Sequence, residues 1–193
     1  MSFKLGTVDG KAVLIKDDHY FDVASLSDGA ISSDSVEALK FQTELSELYE
    51  TLSEKTATGN LSEVELGNPV PKSPNCYAVG LNYRKHAEES GMDIPEVPMI
   101  FTKHTSCFVG PKANVEMRSD YVDWEVELVA VIGKEGKNIP KENALEHVAG
   151  LCVGQDISDR PAQFATTPAM FNLGKSFDTC LLYTSPSPRD TIR

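Results

Sequence analysis

Hydrophobic and polar positions fall into two regimes along the chain. Between residues 3 and 24, short apolar runs ("FKLGTV", "KAVLIK", "HYFDVA") are separated by "DG" and "DD". Runs of that length, punctuated by Asp-Gly, predict strands joined by tight turns. Over 33–55, Val36, Leu39, Leu45, Leu48 and Leu52 recur near helical spacing behind a Ser/Asp start, which predicts a helix. Residues 57–75, "ATGNLSEVELGNPVPKSPN", are rich in Gly, Pro, Ser and Asn and read as a linker. A small N-terminal α+β domain is therefore expected over residues 1–70.

A second regime begins at "CYAVGLNY", a strand running into a turn. "RKHAEES" and "KENALEHV" read as short helices, "VPMIFTKHTSCFV" as a strand and "AGLCVGQDIS" as a long strand. Strands outnumber helices, and there is neither an internal repeat nor a regular βαβα alternation. The expected class is α+β and β-rich, with helices at the margins.

One strand in this region is unusual. "YVDWEVELVAVIG", residues 121–133, places Glu125, Glu127 and Val129 on one face and Trp124, Val126 and Leu128 on the other. It continues as Val129–Ile132, apolar on both faces, which predicts a strand covered on both sides. The two carboxylates lie roughly 6–7 Å apart along the strand. Left unpaired and half-buried they would be costly. Either a metal cation sits between them, or a Lys or Arg on a neighbouring strand pairs them; taken alone, the stretch favours the second reading.

Composition narrows the field. The 193 residues are 40% hydrophobic, 24% charged and 8% aromatic, the profile of a globular protein. A net charge of −11 argues against nucleic-acid and anionic-membrane partners. A small anionic substrate is still admissible, because a local cation can invert the field. No apolar run approaches the ~20 residues of a membrane span. Met1–Gly10 lacks a signal pattern, so the cytoplasm is the expected compartment. Cys76, Cys107, Cys152 and Cys180 are widely and irregularly spaced, which speaks against a zinc site or a disulfide framework.

The stretch "CLLYTSPSPRD", residues 180–190, breaks the pattern. It resembles, residue for residue, the translation of a transposon-end adapter used in DNA sequencing libraries. Residues 180–193 are accordingly expected to be a non-native tail; the competing reading is a genuine Ser/Pro-rich tail.

Further residues carry chemical potential. Asp156 ends the apolar strand of "GLCVGQDISDR"; with Glu125 and Glu127 it would give three carboxylates, a donor set for a hard cation. On its own, Asp156 reads as a turn or helix cap. His86 and Glu89 in "GLNYRKHAEE" are three apart, on one helical face. A carboxylate that fixes the tautomer of a His makes it a better general base, although an isolated pair of this kind is more often a surface pair. Lys175 in "FNLGKSFDT" could stabilise an enolate beside a metal, or could be an ordinary snorkelling lysine.

"YAVGLNYRKHAEE", "FTKHTSCFVGP", "DWEVELVAVIG", "GQDISDRPAQF" and "GKSFDT", in that order and spacing, resemble the fumarylacetoacetate hydrolase family over residues 74–179. The N-terminal unit also looks like the family's usual first domain. The resemblance implies a mixed β-roll catalytic domain, incomplete at its C-terminus. It implies a divalent metal, Mg²⁺ or Mn²⁺ and in some members Ca²⁺, held by Glu125, Glu127 and Asp156. Lys175 matches the family's active-site lysine. His86 and Glu89 match a water-activating pair, and Tyr83, Lys103, Arg160 and Gln163 match positions around the substrate. Two departures touch the pocket: Lys103-His104 stands where the family often has Lys-Pro, and Pro161 where an acidic residue often follows the Arg.

The leading expectation from the resemblance is a metal-dependent hydrolase that cleaves a C–C bond in a 2,4-dioxo acid or related β-dicarbonyl carboxylate. His86, oriented by Glu89, would deprotonate water, and Lys175 and the metal would hold the resulting enolate. An oxaloacetate-type decarboxylase or keto–enol isomerase would use the same metal and lysine without the water. A non-catalytic metal-binding relative, or an inactive fragment, is the third reading. The expected assembly is a homodimer, and without the family's further strands the chain is expected to expose apolar surface.

Overall fold

The computed structural model describes residues 3–184. Its first sheet is a meander. Strands β1 (Leu5–Val8), β2 (Lys11–Lys16) and β3 (His19–Asp22) pair antiparallel, with Val8 opposite Lys11 and Lys16 opposite His19. Asp9 and Gly10 close the first hairpin at φ 49° and 73°, a left-handed pair that Asp-Gly adopts readily. The run "HYFDVA" stops being a strand at Asp22. The Asp22 carboxylate accepts the Ser25 N–H at 2.7 Å and starts α1 (Val23–Leu26).

The helix expected over 33–55 is segmented. Asp34 caps α2 (Ser35–Ala38), 3-10 turns cover Leu39–Phe41 and Leu52–Glu54, and α3 (Gln42–Thr51) lies between. The stretch read as a linker is structured. It supplies β4 (Gly59–Asn60) and β5 (Leu66–Gly67), which close the two edges of the sheet in the order β4-β3-β2-β1-β5. Leu61, Val64 and Leu66 from this stretch cover Val8, Val13 and Ile15 on one face. Leu5, Ala12, Leu14 and Phe21 pack on the other face with Leu39, Leu45 and Leu52 of the helical region. A linker by composition thus acts as the lid of a core, because it brings its own apolar residues at the right places.

The second region contains β6 (Tyr77–Gly80), α4 (Arg84–Glu89), β7 (Met99–Thr102), β8 (Phe108–Val109), β9 (Val122–Asp123), β10 (Val126–Ile132), β11 (Val148–Asp156), β12 (Ser158–Asp159), α5 (Arg160–Gln163), α6 (Phe171–Lys175) and β13 (Leu181–Thr184). They form a four-stranded sheet, β10-β11-β13-β8, and two ribbons, β12-β9 and β6-β7. "VPMIFTKHTSCFV" is two strands in different sheets, because the chain turns through Thr105–Cys107 between them. "KENALEHV" forms a 3-10 helix at Lys141–His147; its Leu145 is exposed, so no packed apolar face draws it into an α-helix.

The stretch set apart by composition at residue 180 enters the sheet at once. β13 pairs antiparallel with β11 and parallel with β8, and Cys180, Leu181 and Tyr183 are buried. The rest of that stretch lies outside the described residues. Tyr183 donates a hydrogen bond to the Val70 carbonyl, and a single hydrophobic cluster runs from Leu5 and Leu14 through Val70 to Cys152, Phe177 and Tyr183.

The expectation that the carboxylate strand is covered on both sides is corrected for one face. Val126, Leu128 and Ile132 on β10, with Leu151 and Val153 on β11, are 41–65% exposed. Val129 and Val131, on the face shared with Glu125 and Glu127, pack on the core. The described residues leave the first face about half open, so its apolar residues stay partly in solvent. No helix among the described residues is long and apolar enough to cross a membrane.

Candidate active site

The site is assembled at the end of the β10–β11 pair. Opposed residues are Val126 with Gln155 and Glu127 with Gly154, and the Asp156 N–H donates to the Glu125 carbonyl at 2.9 Å. This register brings Asp156 beside the E-x-E stretch. Glu125 itself lies in the break between β9 and β10.

Lys175 arrives from the far side at the C-terminal end of α6. The close approach depends on the residue before it. A Cβ at Gly174 would lie 2.6 Å from the Gln163 backbone N and 2.7 Å from the Asp159 carbonyl O, so only glycine lets α6 seat against α5 and β12. The Lys175 Nζ is buried. It donates to Glu125 Oε2 (2.7 Å), Asp156 Oδ2 (3.3 Å) and Ser158 Oγ (2.6 Å), and lies 5.7 Å from the centre of the Phe101 ring. Lys103, one residue beyond β7, is also buried and donates to Asp156 Oδ1. Arg160 takes the other oxygen of Glu125, with Nη2 to Oε1 at 2.8 Å.

Every oxygen of Glu125 and Asp156 therefore has a cationic partner, whereas Glu127 has no ion pair or side-chain hydrogen bond among the described residues. The electrostatics follow. Burial pushes Glu125 up, but Lys175 and Arg160 outweigh it and hold the carboxyl below its ordinary range. Burial and the neighbouring charges of Glu125 and Asp156 push Glu127 above its ordinary value, only partly opposed by Lys175 and Lys103. Burial disfavours the Lys103 ammonium, yet Asp156, with smaller help from Cys180 and Cys107, raises it overall.

The cluster opens into a cleft of about 1710 Å³ lined by Tyr83, His86, Lys103, Glu125, Glu127, Asp156, Arg160, Gln163 and Lys175. Val36, Leu39 and Lys40 of the N-terminal region form part of its wall. Of the residues singled out in the sequence, Glu89 is the one that stays outside this lining. It and His86 are exposed and no hydrogen bond joins them, so the expected tautomer-fixing contact is not formed. Gln163 is buried and accepts from Arg160 Nη1 at 2.9 Å; Tyr83 is exposed at the rim.

Sequence reasoning passed over three residues. Asp123 receives Arg160 Nε at 3.1 Å and Nη2 at 2.6 Å. Ser158 holds Lys175, and Gly174 admits it. Ser158 stands two positions after Asp156 and Asp123 two before Glu125, so the alternation that singled out the neighbours also marked these positions.

The donor types fit a hard divalent cation: three carboxylates on adjoining segments, one without a cation of its own. No three His, Cys, Asp or Glu side chains converge as a finished ligand set among the described residues, and Lys175 stands between Glu125 and Asp156.

Comparison with known proteins finds relatives of this chain in sequence and in fold. The family described as "Fumarylacetoacetate (FAA) hydrolase C-terminal" matches residues 75–190. The chain is 41% identical over 134 residues to the cattle (Bos taurus) protein named oxaloacetate tautomerase FAHD2A, mitochondrial, an alignment covering 68% of this chain and 43% of that one. The crystal structure of a Mycobacterium smegmatis protein described as HpcE superposes with a TM-score of 0.80 at 38% identity, covering 93% of this chain and 64% of that one. Fumarylacetoacetate hydrolase from Exiguobacterium antarcticum superposes with a TM-score of 0.73 at 28% identity, with 93% and 64% covered. The chain thus spans less than half the length of the cattle relative and about two thirds of the two solved structures. On the matched segment and the shared fold, this chain belongs to the fumarylacetoacetate hydrolase family.

Proposed function

We propose that the protein is a divalent-metal-dependent enzyme that interconverts keto and enol forms of a small 2-oxo dicarboxylate of the oxaloacetate type. The observation that carries this reading is the Lys175 ammonium, buried between Glu125, Asp156 and Ser158 at the floor of the cleft. Glu125, Glu127 and Asp156 would hold Mg²⁺ or Mn²⁺, which when bound supplies Lewis-acid polarisation of the 2-oxo group. Lys175 places a fixed positive charge where negative charge develops on the substrate oxygen. Arg160 lines the same cleft, and its remaining N–H suits a substrate carboxylate.

His86 moves the proton. Its neutral imidazole takes a proton from C3, the C–H electron pair becomes the C2–C3 double bond, the C2=O π pair moves onto the oxygen, and the imidazolium returns the proton to that oxygen to complete the enol. The reverse sequence regenerates the ketone. The cattle relative's name supports this choice, as does the lack of a hydrogen bond between His86 and Glu89 among the described residues. Hydrolytic C–C cleavage is the second reading, favoured by the presence of His86 in the cleft; it needs Glu89 to swing onto His86. The four cysteines are free, which suits a reducing compartment such as the cytoplasm, and the cattle relative is mitochondrial by name.

The test is enol decay of oxaloacetate, followed by ultraviolet absorbance with and without Mn²⁺, alongside pyruvate release from oxaloacetate and from an acylpyruvate. Metal-dependent acceleration of enol decay, lost in Lys175→Met, is expected. Cleavage of the acylpyruvate without tautomerisation would establish the hydrolase, and metal binding without turnover of either acid would leave a non-catalytic relative.

A further inference from the structure

Arg160 is engaged on three sides. Its Nε and Nη2 donate to Asp123 Oδ2 at 3.1 and 2.6 Å, its Nη2 also to Glu125 Oε1 at 2.8 Å, and its Nη1 to Gln163 Oε1 at 2.9 Å. Four of its five N–H bonds are used, which leaves one for any ligand. The backbone fixes the arrangement. β9 and β12 pair with Ser158 opposite Asp123, the Arg160 N–H donates to the Tyr121 carbonyl at 3.3 Å, and Asp159 caps the helix that carries Arg160 and Gln163. Asp123 is thus anchored on a ribbon two residues from Glu125, and Arg160 spans the gap.

We infer that Asp123 is a positioning residue, which through Arg160 aims the Glu125 carboxylate at the cation site. This rests on the metal reading above. Glu125 on the break between two strands has several rotamers open to it; Lys175 holds Oε2, and the planar guanidinium, itself fixed by Asp123 and Gln163, holds Oε1 and completes the selection of one. Partners one step behind a metal ligand commonly change metal affinity about 10- to 100-fold when removed. The same contacts make Arg160 mainly a scaffold for Glu125 and only secondarily a contact for substrate.

Two readouts test the inference on the full chain. The first needs no metal: phenylglyoxal modification, mapped by mass spectrometry. Arg160 should react much more slowly than the exposed Arg84 in wild type and speed up in Asp123→Asn. Equal rates at Arg160 and Arg84 in wild type would overturn the clamp. The second is Mn²⁺ titration. Asp123→Asn and Arg160→Lys should each weaken Mn²⁺ by roughly 10-fold or more, the double variant should be no worse than either single, and Asp123→Glu should recover part of the loss. Unchanged Mn²⁺ affinity in Asp123→Asn, or additive losses in the double variant, would overturn the positioning role. If wild type binds no Mn²⁺, the metal reading falls, and with it the role of Asp123 in aiming Glu125 at a cation; the labelling still decides whether the clamp exists.

Discussion

Val13 and Leu14, adjacent on β2, point to opposite faces of the N-terminal sheet, and both are buried. Glu127 and Leu128, adjacent on β10, also point to opposite faces; the first is partly buried and the second is exposed. The first sheet is filled on both sides, by the helical region beneath and by residues 57–67 above. The second buries only the part of its inner face that borders the core and devotes the rest to charge. A strand is stabilised by what covers it, so apolar strands give a closed core in one place and a charged floor with an exposed back in the other. Buried charge there is tolerable because each lysine is matched by a carboxylate, and such matched pairs contribute specificity of arrangement more than stability.

The sharpest way to separate the two sheets is to remove one group from the charged floor. Lys175→Met should lower turnover by about 10²–10³, the loss seen when one preorganised donor to a developing oxyanion is removed, while the N-terminal sheet is untouched. Steady-state kinetics and circular dichroism on the same sample check both halves. Gly174→Ala should mimic it in part, since the new Cβ meets backbone that cannot rotate away.

Asp156→Asn should come next. It leaves the buried Lys103 ammonium without its partner charge and should destabilise the fold by about 3–5 kcal/mol in urea titration. Leu14→Ala in the closed sheet should cost a comparable ~2–5 kcal/mol, but by cavity formation, and should leave Mn²⁺ binding intact in the folded fraction. Metal affinity falling in step with stability in Leu14→Ala would erase the distinction between the regions.

Smaller effects are expected on the open face. Leu128→Thr and Val153→Thr should change stability by about 0.5 kcal/mol or less, because both side chains are already exposed, yet reduce self-association in sedimentation velocity. A wild-type chain that sediments as a monomer at high concentration and melts cooperatively would count against that face being adhesive. Smallest of all is Glu127→Gln. The folded state raises the carboxyl of Glu127 above its unfolded value. Its contribution is fully present below the unfolded value and is lost as pH rises through the folded one. The amide should therefore raise the melting temperature slightly at pH 7, and the gain should vanish on acidification below the ordinary glutamate range.

Much of the site was legible in the chain because the relevant spacing is local. Alternation placed Glu125 and Glu127 on one face, and Asp156 ended a readable strand. The ordered set of motifs pointed to Lys103, Arg160, Gln163 and Lys175. Helical spacing brings His86 and Glu89 onto one side but does not turn their side chains together, and no hydrogen bond joins them in the structure. Residues 57–75 were underread, because Gly, Pro and Ser dominate the composition while Leu61, Val64 and Leu66 do the covering. The broken helix at 38–42 and the split of "VPMIFTKHTSCFV" follow from which sheet claims each piece, and no window of sequence contains that.

By itself, then, the sequence determined the hairpin turns, the alternation of the strands and the types of chemical group available. Only the tertiary structure decided which cation meets which carboxylate. Lys175 and Asp156 are 19 positions apart, and Lys103 and Asp156 are 53. Strand periodicity is written into the bonds between neighbours, whereas an ion pair depends on a distance of about 3 Å between groups that only the packing of β7, β11 and α6 brings together.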